Sequence, residues 1–147
     1  SDLERLHQAG WVFGDLKREN LLVATSPTKV RLIDVGGTTQ IGRAIKEYTE
    51  FYDRGYWGLG TRKAEPSYDL FALVMVFVSI FYPKQFPKTP HAEKEIIRHI
   101  QAVPALRMYQ LCLEKAILGQ YTSSAEMKQE LLQKLDKRSE KAEWTQW

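Results

Sequence analysis

Between Leu70 and Pro83 the chain runs fourteen residues without a charge. Apolar side chains fall all round a helical wheel there, which leaves no face for water and requires a helix buried on every side. A bilayer-spanning helix needs roughly 20 such residues, so the segment is too short to cross a membrane. The rest of the chain has to wrap this helix, and 147 residues with 44% hydrophobic side chains are enough for one core of that kind.

The flanking patterns are mostly helical. Asp2 to Ala9 places Leu3 and Leu6 on one face and stops at Gly10. Leu21 to Ala24 and Val30 to Ile33 read as two strands of a hairpin turned at Thr25-Ser26-Pro27-Thr28. The buried helix spans Tyr68 to Tyr82 and is entered through Glu65-Pro66-Ser67. After a linker holding Pro83, Pro87 and Pro90, amphipathic helices are expected over Ala92 to Val103 and Leu106 to Leu118, either side of Pro104. Ser123 or Ser124 caps a last helix from Ala125 to about Glu143. Thr38 to Pro66 keeps no sustained period, and a loop of that length usually binds or regulates something. The fold class expected is mainly α with one small β-hairpin.

Charge excludes more than it suggests. The formal net charge is +3, and only residues 70–110 carry a marked basic excess, five basic residues against two acidic. Nucleic acid is thus a weakly supported partner. The single Cys112 excludes an internal disulfide and a Cys-rich zinc site and suits a reducing compartment. His7, His91 and His99 lack metal-ligand spacing and read as surface or packing residues. With no signal-peptide pattern, the expected location is cytoplasmic, with a membrane anchor beyond Trp147 left open.

Chemistry concentrates in Asp15-x-Lys17-x-x-Asn20, followed by the hairpin and then Asp34-Val35-Gly36. Phosphoryl transfer to a hydroxyl needs a carboxylate to orient the hydroxyl and take its proton, a cation for the moving phosphoryl, and hard oxygen ligands for Mg²⁺. Asp15, Lys17, Asn20 and Asp34 are of the types that fill those roles, and an antiparallel hairpin returns Asp34 towards Asn20. Taken singly, each would be an ordinary polar residue of a solvated turn.

The segment Phe13-Gly14-Asp15-Leu16-Lys17-Arg18-Glu19-Asn20 resembles the catalytic loop of eukaryotic-type protein kinases, and Asp34-Val35-Gly36 resembles their magnesium motif. Tyr68-Asp69-Leu70-Phe71-Ala72-Leu73 is similar to the start of the buried helix after the activation segment, where an Asp holds the catalytic loop from below. Thr122-Ser123-Ser124-Ala125-Glu126-Met127 resembles the entry to the last helix. The run from Asp34 through Leu70 is most similar to the YabT-type serine/threonine kinases of spore-forming bacteria. The resemblance implies an α+β family, of which residues 1–135 would be the C-terminal lobe and 136–147 a polar tail. No G-x-G-x-x-G occurs, so the N-terminal lobe is absent from this chain.

The implied activity is transfer of the ATP γ-phosphate to protein Ser or Thr hydroxyls, with the fragment itself inactive. Asp15 and Lys17 would be catalytic, Lys17, Asn20 and Asp34 would bind ATP, and Asn20 and Asp34 would hold Mg²⁺. The implied partners are a protein substrate and the missing N-terminal lobe, and apolar groups such as Leu22 and Val35 that this lobe would cover make a homodimer a further expectation. The alternative is a non-catalytic kinase-like module that binds a partner protein.

Several positions depart from that family's pattern. Phe13-Gly14 stands where His-Arg is usual, and Gly14 removes the Arg that would receive a phosphorylated activation loop, so such switching is not expected. Val35 replaces the Phe of the magnesium motif. Ala-Pro-Glu is absent, Trp57 standing twelve residues before Asp69, and its partner Arg is replaced by Gln120-Tyr121. Losing both members of a buried ion pair avoids an orphan charge. Thr49 and Thr61 both remain open as the threonine that bonds Asp15 and Lys17. Thr38, Thr39 and Thr49 are ordinary loop threonines or phosphorylation sites, and Glu19 an exposed loop residue or a contact to basic substrates. Phe51, Tyr52, Tyr56 and Trp57 are expected to pack onto the lobe, and Asp69 to be structural. Trp144 and Trp147 sit in a tail expected to be disordered.

Overall fold

The computed structural model describes residues 2–25, 28–32 and 37–145. Ser26 and Pro27 of the expected turn Thr25–Thr28, and the expected magnesium motif Asp34-Val35-Gly36, lie outside the described residues. In chain order the elements are α1 (Asp2–Gln8), β1 (Trp11–Val12), β2 (Leu21–Thr25), β3 (Thr28–Leu32), β4 (Thr39–Gln40), α2 (Pro66–Phe81), α3 (Ala92–Gln101), α4 (Pro104–Arg107), α5 (Gln110–Ile117) and α6 (Ser124–Thr145). Single 3-10 turns form at Arg18–Asn20 and Glu50–Tyr52.

The uncharged run becomes α2, with Pro66 in its first turn, where a missing N–H costs nothing. Leu70, Phe71, Val74, Met75 and Val78 are fully buried in it. α5, α6, β1 and both 3-10 turns pack against it, so the catalytic-loop segment and the activation segment rest on one scaffold. Ile80 and Phe81 at its C-terminal end are exposed, and Leu73 and Phe77 on one side are half-buried, so the helix is not covered all round as expected.

β2 and β3 pair antiparallel from Leu21↔Leu32 to Thr25↔Thr28, the expected hairpin. A second two-stranded sheet was not expected: β1 pairs β4 antiparallel, with Trp11 opposite Gln40 and Val12 opposite Thr39. Strands of two residues are too short to leave a period in sequence. The Leu106–Leu118 helix also differs from expectation. Pro104 starts α4 rather than separating two helices, and the chain breaks at Met108 and Tyr109 before α5. At the last helix Ser123 is the cap, its Oγ accepting from the Glu126 N–H at 3.2 Å, while Thr122 donates to the Glu126 carboxylate. α6 then continues to Thr145.

Candidate active site

The catalytic-loop segment is fixed from beneath by one carboxylate. Asp69, fully buried in the first turn of α2, accepts the Phe13 N–H at 2.8 Å and the Gly14 N–H at 2.9 Å. His7 Nε2 on α1 lies 2.8 Å from the same carboxylate. Sequence reading placed Asp69 as structural, which holds. It missed His7, whose pairing across 62 positions leaves no local signal. The Phe13 ring is buried in the core. Arg18 donates to the Ser79 carbonyl at 3.1 Å, tying the other end of the loop to α2.

Above this floor sits Asp15, its side chain 36% exposed, with Lys17 Nζ 3.7 Å from its Oδ2. The Asn20 amide donates to the Asp15 backbone carbonyl at 2.7 Å, and Asn20 is itself buried. Thr49 Oγ1 donates to Asp15 Oδ1 at 3.2 Å, which resolves the choice between threonines. Thr61 is exposed and uses its backbone carbonyl to accept from Arg54. Asp15, Lys17, Asn20 and Thr49 therefore converge, whereas Asp34 lies outside the described residues.

The segment after Thr49 is held by groups that sequence reading did not single out. Asp53, fully buried, accepts from Tyr68 Oη at 2.7 Å, Arg62 Nε at 2.9 Å and the Tyr56 N–H at 2.8 Å. The bond to Asp53 holds the Arg62 guanidinium above its usual range. Burial, and next the hydrogen bond to Asp53, push the Tyr68 phenol far above its ordinary value. Arg54, also buried, donates to Glu65 at 2.7 Å and to Ser67 Oγ at 2.7 Å. Two ion pairs, Arg62–Asp53 and Arg54–Glu65, thus lie inside this segment. Tyr121, shortly before the last helix, is buried and donates to Glu130, which also pairs with Lys115 at 2.9 Å. Those two bonds, Tyr121 first, hold the Glu130 carboxyl below its usual range.

The aromatic residues pack as expected. Phe51 meets Tyr52 and Trp57 edge to face with centroids 5.3 and 5.9 Å apart, and the Trp57 indole donates to the Phe51 carbonyl. Phe86, from the proline-rich linker, joins this cluster and stacks on His99 at 3.6 Å.

A buried Asp gripping the backbone beneath a second, water-facing Asp, with a lysine and a threonine on the latter, defines the helical lobe of a protein kinase. Residues 1–145 match the family described as Protein kinase domain, and the chain belongs to that family. It is 54% identical over 132 residues, 90% of its length, to "Serine/threonine-protein kinase YabT" of Bacillus subtilis (strain 168). It spans only 39% of that relative's length, and its mainly helical fold corresponds to the C-terminal lobe of a protein kinase. The kinase PK-1 of the Cydia pomonella granulovirus shares the fold, with a TM-score of 0.53 over 79% of this chain and 46% of that one at 19% identity. Protein kinases as a family act on proteins with ATP and Mg²⁺. Among the described residues no helix is long and apolar enough to cross a membrane.

Proposed function

We propose that this chain supplies the catalytic half of a kinase that transfers the ATP γ-phosphoryl group to Ser or Thr hydroxyls of a protein. Asp15 accepts the hydrogen bond of the substrate hydroxyl and takes its proton as the oxygen–phosphorus bond forms and the bond to ADP breaks. Lys17 offsets charge on the moving phosphoryl group. With its amide nitrogen committed to a backbone carbonyl, Asn20 keeps its amide oxygen for a hard cation, a donor that fits Mg²⁺, and Asp34 is the second proposed ligand. When bound, Mg²⁺ would neutralise the phosphates. The cytoplasm, where ATP is held, is the proposed location.

The observation that carries this reading is the Thr49–Asp15 hydrogen bond, with Lys17 on the other carboxylate oxygen. It aims a half-exposed base at one point, which a partner-binding module has no need to do. The test is radiolabel transfer to protein by the full-length kinase that carries this lobe. Asp15→Asn is expected to lower kcat about a thousandfold while Mg·ATP binding persists. Equal transfer by both forms would leave the non-catalytic reading standing.

A further inference from the structure

The activation segment docks on the lobe through a small apolar cluster separate from the main core: Val12, Ile45, Ala64 and Tyr68. Ile45 is its one member from the otherwise exposed stretch Ile41–Tyr48. The residue beneath it is Gly14, next to Asp15, in a left-handed conformation at φ +80°. A Cβ on Gly14 would lie 3.2 Å from Ile45 Cδ1, tighter than such contacts normally allow. The isoleucine therefore occupies the room that a side chain at position 14 would need. Backbone bonds lock the pair of passing segments beside it: the Ile45 N–H donates to the Arg62 carbonyl at 2.7 Å and the Ala64 N–H to the Arg43 carbonyl at 2.7 Å.

Thr49 is slung between two buried anchors. Ile45 lies four residues before it, and Phe51 and Tyr52 follow it in a 3-10 turn that Thr49 opens by accepting the Tyr52 N–H at 3.0 Å. Lys46, Glu47 and Tyr48 between the anchors are all exposed. Ile45 is the one buried side chain between Ile41 and Tyr48, so on the near side of Thr49 it supplies the apolar hold, beside the backbone bonds to Arg62 and Ala64 and the Arg62 guanidinium 4.2 Å over the Tyr48 ring.

We infer that Ile45, seated over Gly14, is a positioning residue of the kinase reaction: an apolar latch that holds the activation segment closed and keeps Thr49 on Asp15. The latch needs no added charge, since burial of an aliphatic side chain supplies the attraction. This inference rests on the catalytic reading above, but its physical half can be measured without activity.

Two measurements test it. In the 147-residue chain, hydrogen exchange of amides 41–64 should quicken about tenfold in Ile45→Asn while α2 stays protected. In the full-length kinase, Ile45→Asn should lower kcat about tenfold with KM for ATP within about twofold, and Ile45→Val should keep most of the rate. Gly14→Ala should lose rate both because an alanine is strained at φ +80° and because its Cβ crowds Ile45 Cδ1, and adding Ile45→Val, which removes Cδ1, should restore only the part due to crowding. Unchanged exchange in Ile45→Asn, or an unchanged kcat in that variant of an active kinase, overturns the inference. If the unmodified kinase shows no Asp15-dependent transfer, the catalytic reading fails instead and exchange alone decides whether the latch exists.

Discussion

Single side chains in this lobe act by fixing backbone as much as by touching substrate. Asp69 satisfies two buried N–H groups of the catalytic loop at once. Asp69→Ala would strand both without water, and each unsatisfied donor costs about 1–3 kcal/mol. We expect a loss of about 3 kcal/mol or more, read by urea denaturation; a loss below about 1 kcal/mol would show that the loop does not depend on this carboxylate. Thr49 acts on the other side of Asp15. Removing its hydroxyl in Thr49→Ala frees the Asp15 carboxylate to turn, and kcat of the full-length kinase should fall about tenfold, whereas Thr49→Ser should retain it. The group types at Asp15, Lys17 and Asn20 could be read directly, because they lie within six residues and their spacing survives folding unchanged. Thr49 could not be chosen over Thr61 in that way, since only the path of the intervening chain decides which hydroxyl reaches 3.2 Å from Asp15.

Elements divide by the range of the forces that make them. α2 could be read because its signal, an unbroken apolar wheel after Glu65-Pro66, is entirely local. The β1–β4 sheet could not, because its two-residue strands come together from opposite ends of a stretch that includes the β2–β3 hairpin. The loop from Thr49 to Ser67 hid its bonding for the same reason. Asp53, Arg54, Arg62 and Glu65 look like solvated loop charges, yet folding turns Asp53 and Arg54 inward and leaves Arg62 and Glu65 at the rim as their partners. This arrangement predicts a pH dependence. Tyr68 is held as a neutral phenol by burial and by donating to Asp53, so its folded pKa is raised above the ordinary 10.0. The stabilisation is fully present below pH 10.0 and is lost as pH rises above that value toward the folded one. Tyr68→Phe should cost about 2 kcal/mol at neutral pH and flatten the alkaline fall in stability. Thermal melts from pH 8 to about 11 check this, and parallel profiles for the two forms would contradict it.

At the scale of the whole molecule, folding and catalysis make different demands on the chain. One core runs from Leu3 on α1 through α2 to Met127 on α6, and it takes in Phe13 and Leu16 of the catalytic loop. The lobe therefore carries its own hydrophobic support for Asp15, and a cooperative thermal transition is expected of the 147-residue chain. Phosphoryl transfer asks for more, because most of its catalysis is positioning of the nucleotide against the hydroxyl. The chain contains no G-x-G-x-x-G to cradle phosphates, and it spans 39% of the Bacillus kinase it resembles. A base aimed by Thr49 has no leverage if the phosphoryl donor is not held in line with it. We therefore expect the chain by itself to show no Asp15-dependent transfer of labelled phosphate. Millimolar Mg·ATP should raise its melting temperature by less than about 1 °C, since a ligand stabilises only in proportion to its occupancy of the folded state. Transfer that Asp15→Asn abolishes in this chain would mean that one lobe can hold the nucleotide unaided.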